Sequence, residues 1–485
     1  MTSMKTVLLG SAAAIVATGA AQAADLPVKK AAVAVQYVEV CPAFGSGFYK
    51  LPGTDICIKH FGNFKTNINV MAVDDTYRLT NQTITRSHAD DQFGWQYDLR
   101  PGWDFRSPTA FGTLRLVAQI RFEQRNGLAE GRPPQGTGSA RVSTHRAYAE
   151  WAGFTIGRAG SQFPYYDQGD IITSAGGDPK TTAFQVTYTF ALGGGFKATI
   201  GFEDSTNWQS GGGTAGVGAV STAGGSIIIA QGPTRMYDIV ASLSTEQAWG
   251  SAKIAGLVHE ISTIATTSSG GTLGTNCSLF NGSTANSGSC AVERETGWAV
   301  NAGVTLLLPS LGAGDNLVLQ ASYADGAIAA AGISGGADND ASSFTRSGMW
   351  SGGLARSGFD ADAYAVNNGN GTYRLEKTKA TSVLGVFQHF WNPLLRSNLF
   401  AAHSWIRPPA VATTATFANG GGGDANVLDV GANLIWGKSR QTAEIGVEVV
   451  YKKVNQDLPP GQTLPAGIDK DPSSWIFAAQ FGRNW

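Results

Sequence analysis

Charge of either sign is scarce in this sequence, and neither sign dominates. Charged residues make up 15% of the 485 residues, with 35 lysines and arginines against 36 aspartates and glutamates. This balance gives no electrostatic basis for nucleic-acid binding, so none is expected. Long apolar runs are also missing: after the first 23 residues, none approaches the roughly 18 residues that a membrane-spanning helix needs. Spanning a membrane with helices is therefore excluded.

The N-terminal residues predict export. Lys5 gives a short basic start, residues 7–18 are apolar or small, and Ala21 and Ala23 form an A-x-A cleavage site. Residues 1–23 are thus predicted to be a secretory signal, and their removal from 485 residues leaves 462, residues 24–485. Without Lys5 the mature chain has 34 basic and 36 acidic residues, a formal charge of −2. We expect it to form one domain, since some all-β folds of this length do.

Cysteine is rare, with four residues in two pairs that are close in sequence. Cys41 and Cys57 bracket a segment rich in Pro and Gly, and Cys277 and Cys290 bracket one rich in Ser, Gly and Asn. An even number of cysteines in an exported chain favours two local disulfides. A metal site is the weaker interpretation, because the two pairs lie far apart and form no C-x-x-C motif.

What the sequence has in abundance is period-two alternation. From Gln92 to Arg106, one face carries aromatic and aliphatic residues and the other carries polar and charged residues. The run from Thr113 to Arg125 repeats the pattern. A soluble β-sandwich or β-helix also has short strands and Gly-rich turns. A transmembrane barrel around a polar lumen explains better why one face suits lipid and the other suits water.

The connections between the alternating segments are also regular. Seven short connections alternate with eight long ones, which predicts sixteen strands. Short periplasmic turns and long extracellular loops are typical of antiparallel outer-membrane β-barrels. Aromatic residues beside the short turns fit an interfacial girdle; they are Trp151, Trp249, Trp391 and Trp436.

The third long connection, from Gly160 to Thr181, is the best candidate for a functional element. A barrel of sixteen strands encloses an aqueous lumen, and we expect this loop to fold into it. Acids of the loop would then face basic residues of the wall and set a transverse field that sorts solutes by size and charge. The alternative is that these are solvated charges without a special role. The predicted constriction residues are Asp167, Asp170, Asp178, Arg100, Arg115, Arg121 and Arg146.

Signals of other chemistry are weak. The six histidines form no H-E-x-x-H motif. We therefore predict no enzyme activity, no cofactor and no metal, and passive diffusion through a channel. Two alternatives remain: a substrate-selective channel, for instance for sugars, with Tyr165 and Tyr166 lining a slide, and a barrel enzyme with a Ser/His or Asp/His cluster near the rim.

Three stretches resemble the outer-membrane porins of alphaproteobacteria. They are VCPAFGSGFYKLPGTDICIKHFG at residues 40–62, RAYAEWAGFTIGRAGSQFPYYD at residues 146–167, and the final strand SSWIFAAQFGRNW. The resemblance implies a homotrimeric, sixteen-stranded channel for small hydrophilic solutes and ions, embedded in the outer-membrane lipid of a Gram-negative bacterium. It also implies a Cys41–Cys57 disulfide and a constriction loop that begins after Arg158. Two features depart from the family pattern: Arg483 stands where the last strand should be apolar, and Cys277 and Cys290 lie in a variable loop.

Overall fold

The structure is a computed structural model of the 485-residue chain. It describes residues 39–73, 77–78, 85–86, 93–127, 140–173, 175–177, 182–205, 217–222, 225–231, 234–269, 272–274, 292–332, 362–367, 373–409, 424–437, 443–457, 471 and 473–485. The predicted signal, residues 1–23, lies outside these ranges.

Sixteen of the described strands form one antiparallel barrel, as the alternation predicts. They are β1 (Cys57–Val73), β2 (Phe93–Thr109), β3 (Gly112–Gly127), β4 (Arg141–Trp151), β5 (Phe154–Gly160), β6 (Thr182–Gly193), β7 (Phe196–Glu203), β8 (Asp238–Gln247), β9 (Gly250–Ser269), β10 (Val292–Leu307), β11 (Asn316–Asp325), β12 (Lys379–Asn392), β13 (Leu395–Arg407), β14 (Ala425–Trp436), β15 (Ala443–Gln456) and β16 (Ser473–Asn484).

Shorter elements lie outside this ring. The short strands are Tyr49–Lys50, Tyr77–Arg78, Thr85–Arg86, Val217–Thr222, Gly225–Gln231, Thr272–Gly274, Ala363–Asn367 and Tyr373–Lys377. Two 3₁₀ helices, Pro42–Phe44 and Ile328–Ala331, complete the described elements. No helix in the described part of the chain is long and apolar enough to cross a bilayer.

The barrel closes because its first strand pairs on both sides. β1 pairs with β2 along one edge, with Asn63 opposite Arg100, and with β16 along the other, with Asn63 opposite Asn484. Each of the remaining barrel strands pairs with the barrel strand before it and the one after it. Closure leaves no free sheet edge, which is what a sheet needs where water cannot bond its backbone.

The distribution of side chains is inverted relative to a soluble sandwich. Polar residues that face inward are buried, such as Asn69 at 1% exposure and Asp429 at 0%. Large apolar residues that face outward are exposed, such as Phe93 at 68% and Trp95 at 60%. Apolar surface on the outside suits hydrocarbon, and polar surface on the inside suits a hydrated lumen. This inversion excludes a soluble β-sandwich, an alternative that the alternation alone did not exclude.

The β4–β5 turn shows how the short connections are built. Ala152 and Gly153 both have positive φ, at 50° and 89°. Two central residues with positive φ match the right-handed twist of the flanking strands in a two-residue hairpin. Trp151 and Phe154 pair across this turn and are exposed. The predicted girdle is present at other short turns too, since Trp249, Trp391 and Trp436 are exposed beside them.

The segment before β1 folds against the inner face of the barrel at the short-turn end. Cys41 is bonded to Cys57, the first residue of β1, as predicted. The ring of Phe48 is buried, and the guanidinium carbon of Arg106 lies 4.5 Å from its centroid. The predicted pair of Cys277 and Cys290 falls outside the described residues.

An apolar core lies inside the barrel, where the long connection between β11 and β12 enters the lumen. The helix Ile328–Ala331 is fully buried there and packs with Phe163 of the third long connection and with Leu257 of β9. The carboxylate of Asp362 accepts a hydrogen bond of 2.8 Å from the backbone N–H of Ile328. Part of the lumen is therefore filled by protein rather than by water.

Candidate functional site

The third long connection, described from Ser161 to Gly177 except for residue 174, lies against the inner surface of the barrel. Its first residues are bound by Glu203, at the end of β7. The Ser161 hydroxyl donates to Glu203 Oε2 at 2.7 Å, and the backbone N–H of Gln162 donates to Oε1 at 2.7 Å. The loop thus turns away from β5, where it starts, and crosses the inside of the barrel toward the strands on the far side.

The middle of the loop is held by β9, β10 and β11. Lys253 Nζ donates to the carbonyl of Pro164 at 2.9 Å, and the Tyr165 hydroxyl donates to Thr305 Oγ1 at 2.6 Å. The Tyr165 ring lies directly over Gly303, where an added Cβ would come within 2.1 Å of it. Any residue larger than glycine at position 303 would displace the loop.

The last described part of the loop is bound to β13, β14 and β15. Glu448 accepts hydrogen bonds from the backbone N–H groups of Ile172 and Thr173, both at 2.7 Å. Asp429 accepts one from the N–H of Gly176 at 2.5 Å. We call the inner surface that holds the loop the anchoring wall. Its contact residues are Glu203, Lys253, Thr305, Gln320, Asn398, Asp429, Asn433 and Glu448.

Gln168 shapes the loop from within. It has a positive φ of 50°, which is uncommon for a residue other than glycine. Its side-chain amide accepts from the backbone N–H of Ala175 at 2.9 Å and donates to the carbonyl of the same residue at 3.1 Å. These bonds join the two ends of the bend.

Opposite the loop, the inner surface of β1 to β4 carries a chain of ion pairs; we call it the cavity wall. Asp98 accepts from Arg100 Nε at 2.8 Å and from Arg121 Nε at 3.1 Å. Arg100 Nη1 lies 2.9 Å from Nε2 of His145. A guanidinium can only donate, so this nitrogen of His145 is the acceptor. The arrangement holds the planar group of Arg100 in one orientation.

A β-bulge turns two consecutive residues of β4 toward the lumen. The register between β3 and β4 shifts after Gln119, which pairs with Arg146, whereas Ile120 pairs with Thr144. His145 is left between these pairs, and both His145 and Arg146 line the lumen. A bulge re-aims side chains in this way, and strict alternation would have turned one of the two outward.

A water-accessible cavity of about 510 Å³ separates the loop from the cavity wall. Lys65, Arg100, His145 and Arg146 line it from the wall, and Tyr166 and Asp167 line it from the loop. The wall side of the cavity therefore carries three cations as well as the carboxylate of Asp98, and the loop side carries the carboxylate of Asp167.

The predicted constriction residues are distributed over several places. Asp167, Arg100 and Arg146 line the cavity together. Asp170 instead lines a smaller adjoining void of about 20 Å³ beside Arg396, which shares Lys65 with the cavity. Asp178 falls outside the described residues.

The other two predicted arginines are engaged elsewhere on the cavity wall. Arg121 is buried between Asp98 and Glu123, with its Nη2 2.7 Å from Glu123 Oε2. Arg115 lies nearer the short turns, where Asp104 and Glu150 bind it at 2.9 and 2.8 Å. Alternation correctly placed both on the inner face but carries no information about their depth along the strand.

Sequence reasoning overlooked Lys65, His145 and the anchoring wall. Lys65 occupies an inward position of β1, and its alternation with Phe64 and Thr66 could have revealed it. The sequence around His145 has no ligand or catalytic motif, so nothing in it marks this histidine. The anchoring carboxylates could not be recognised, because their partners are backbone groups of a loop distant in sequence.

The comparisons with known proteins agree with this architecture. A model of the porin subfamily matches residues 25–453. Porin Omp2b of Brucella melitensis is 33% identical over 266 residues, which cover 53% of this chain and 65% of that porin. Porin Omp2b of Brucella suis is 33% identical over 264 residues, with coverage of 53% and 65%. The match thus spans just under two thirds of the length of these relatives.

Among solved structures, the outer membrane channel DcaP of Acinetobacter baumannii shares the fold. The TM-score is 0.55 at 15% sequence identity, and the alignment covers 89% of this chain and 99% of that one. At this identity the likeness concerns the fold alone. The family model, by contrast, covers most of the sequence, and the chain belongs to the porin subfamily.

Proposed function

We propose that this protein is an outer-membrane porin, a water-filled channel for passive diffusion of small hydrophilic solutes and ions. The apolar outer face suits a lipid bilayer. Membership of the porin subfamily supports the outer membrane of a Gram-negative bacterium as the location, and a channel rather than an enzyme as the role. Transport follows the solute gradient and needs no reaction.

One observation supports the proposal above the others. The cavity of about 510 Å³ lies inside a closed barrel and is bordered by Lys65, Arg100 and Arg146 on one side and by Asp167 on the other. Preorganised charges of opposite sign across a narrow aqueous passage sort permeating ions by charge while the passage width sorts them by size.

The alternative of a sugar-selective channel depends on Tyr165 and Tyr166. The hydroxyl of Tyr165 is bound by Thr305 and Ser251, and its ring packs on Gly303. The backbone of Tyr166 is bound by Gln320. These contacts assign Tyr165 to holding the loop rather than to a stacking surface, so general diffusion is the better supported function.

Single-channel recording in planar bilayers, with the reversal potential measured in a KCl gradient, tests the channel and its charged passage. The wild type should give stepwise, ohmic currents. Asp167→Asn should shift the reversal potential toward anion selectivity, because it removes the carboxylate that faces the cavity cations. Asp170→Asn is the comparison variant and should give a smaller shift, since Asp170 lies on the same loop but does not line the cavity of about 510 Å³.

The outcomes separate two levels of the proposal. Absence of stepwise current from correctly folded wild-type protein would refute the channel. Stepwise current with equal reversal potentials in the wild type and Asp167→Asn would leave the channel intact and refute the acidic side of the constriction.

We further propose a homotrimer, which the resemblance implies. Arg158 pairs with Phe184 on the outward face, and its guanidinium carbon lies 5.6 Å from that exposed ring. An arginine that faces lipid near the bilayer midplane costs about 2–4 kcal/mol, and a neighbouring subunit would shield it. The mass of the folded protein in mild detergent should be three times that of the chain, and a monomer for the wild type would contradict this proposal.

A further inference from the structure

The outward face of β13 to β15 becomes polar near the long-connection end of the barrel. His403 Nε2 lies 3.0 Å from Asn426 Oδ1, and Asn455 Nδ2 donates to the same oxygen at 3.0 Å. The His403 ring lies 3.9 Å from the ring of Trp405. His403 alternates with Ala402 and Ser404, which are buried on the inner side. Hydrogen bonds across three strands thus hold a polar row on the face that should meet lipid.

Three cations surround this row. Lys379 and Arg407 pair directly across β12 and β13, and both are exposed. Lys453 on β15 and His403 on β13 both pair with Leu428, which lies between them on β14. Asp424 Oδ2 is 3.8 Å from Arg407 Nε, and Asp457 follows just past the end of β15. We call Lys379, His403, Arg407, Asn426, Lys453 and Asn455 the rim patch.

An apolar groove begins beside the rim patch and runs toward the middle of the barrel wall. Val383 pairs with His403 and marks the junction between the two. The groove has a volume of about 550 Å³ and crosses β10 to β13. It exists because small residues meet across strands, with Ala302 opposite Ala321 and Gly385 opposite Ala401.

The two features together match one kind of ligand. Lysine and arginine at the membrane surface attract anionic lipid head groups, and a groove of alanine and glycine in an apolar wall accommodates hydrocarbon rather than a polar chain. A free anion would have no use for the groove. We propose that the rim patch and the groove form a binding site for an anionic phosphate-bearing membrane lipid, with the phosphate at Lys379 and Arg407 and one acyl chain in the groove.

The proposal rests on the barrel being embedded in a membrane, and not on its conducting ions. Native mass spectrometry of the detergent-solubilised protein with equal amounts of phosphatidylglycerol and phosphatidylcholine measures lipid retention directly. The wild type should retain phosphatidylglycerol preferentially. Arg407→Gln and Lys379→Gln should each lower that retention about fivefold. Arg483→Gln is the matched control, because Arg483 is an exposed outward arginine at the opposite rim.

The groove is tested without changing charge. Ala401→Phe fills it and should also lower retention of phosphatidylglycerol, whereas Ala432→Phe, on the outward face of β14 away from the groove, should not. Each variant is first checked for the heat-dependent electrophoretic shift of a folded barrel. Folded Arg407→Gln and Ala401→Phe proteins that retain phosphatidylglycerol like the wild type would overturn the proposal.

Two further outcomes would also overturn it. Displacement of the lipid by inorganic phosphate, together with normal retention in Ala401→Phe, would show a simple anion site. A change in the oligomeric mass of Ala401→Phe with unchanged lipid retention would show that a second copy of the chain covers this face.

Discussion

The anchoring wall and the cavity wall both carry buried carboxylates, but these carboxylates bind different donors. Glu448 is 4% exposed and accepts backbone N–H groups of the loop. Asp98 is also 4% exposed and accepts guanidinium N–H groups of its own wall. Backbone donors are part of a chain whose path is set by these bonds, whereas arginine donors bring a compensating charge. The same side-chain group therefore positions a loop on one wall and balances charge on the other.

This difference assigns separate roles to the two walls. In the proposed channel, the anchoring wall should set the width of the passage, because it holds the third long connection. The cavity wall should set the sign of the field, because its arginines and Lys65 line the water-accessible space. A substitution on one wall should change passage geometry and a substitution on the other should change selectivity, which makes the comparison testable.

The largest effect is expected from Glu448→Ala. The substitution leaves the N–H groups of Ile172 and Thr173 and the hydroxyl of Thr173 without their acceptor. Each buried donor left unpaired costs about 1–3 kcal/mol, so this end of the loop should leave the wall. Open-channel current noise should rise several-fold, with brief closures as the loop crosses the cavity, in single-channel recordings.

Glu444→Gln is the control for this prediction, because Glu444 lies on the same strand but binds Arg396 instead of the loop. Its current noise should equal that of the wild type. Equal noise in Glu448→Ala and the wild type would show that these hydrogen bonds do not hold the loop in place.

A smaller effect of a different kind is expected from Asp98→Asn. Asp98 compensates Arg100 and Arg121, so its neutralisation leaves the cavity wall with more positive charge. The reversal potential in a KCl gradient should shift toward anions, while the current noise stays at the wild-type level because the loop keeps its anchors. Asp98→Asn should thus change the reversal potential, which Glu448→Ala should change little.

Asp104→Asn provides the control for position along the pore. Asp104 is buried on the same strand and binds Arg106 and Arg115, but it does not line the cavity. Its effect on the reversal potential should be clearly smaller than that of Asp98→Asn. Equal shifts would indicate that the charge of the whole wall, and not the charge at the cavity, governs selectivity.

The sequence predicted the cavity wall better than the anchoring wall, for a physical reason. Alternation reports only whether a residue faces in or out, and on β2 this was enough to place Asp98, Arg100 and Asp104 on the inner face. The depth of a residue depends on strand register, which is why Arg115 was grouped with residues of the cavity. Asp170 lies on the loop, and its position depends on the hydrogen bonds that Asn398 and Asn433 donate to its carbonyl. The bulge at His145 breaks alternation itself.

The sequence contains a signal of the anchoring wall, but the signal does not identify what covers that wall. The segment around Ile254 to Ile261 has apolar residues on both faces, which is typical of a wall that meets a subunit or an inner loop. In the structure, Leu257 packs on its inward side against Phe163 and the helix Ile328–Ala331. A strand pattern reveals that something apolar covers a wall, but the identity of the cover depends on how distant loops fold.

The smallest effect is expected from a carboxylate that anchors a turn and not the pore loop. Asp315 precedes β11 in a short connection; its carboxylate accepts from the N–H of Phe390 at 2.9 Å, and Nδ1 of His389 lies 2.7 Å from Oδ2. Desolvation alone raises the pKa of Asp315, but the hydrogen bonds from Phe390 and His389 outweigh it and hold the pKa below its ordinary value.

A lowered pKa in the folded state means that the ionised form stabilises the fold. This stabilisation is complete above the unfolded pKa of about 3.9 and is lost as the pH falls through the folded value. Thermal unfolding from pH 6 to pH 2 should therefore show the wild type more stable than Asp315→Asn at the upper end, with the difference vanishing in acid. A constant difference over this range would mean that ionisation of Asp315 does not stabilise the turn. Currents at neutral pH should match, since Asp315 does not line the cavity, and this separates anchoring for stability from anchoring for conduction.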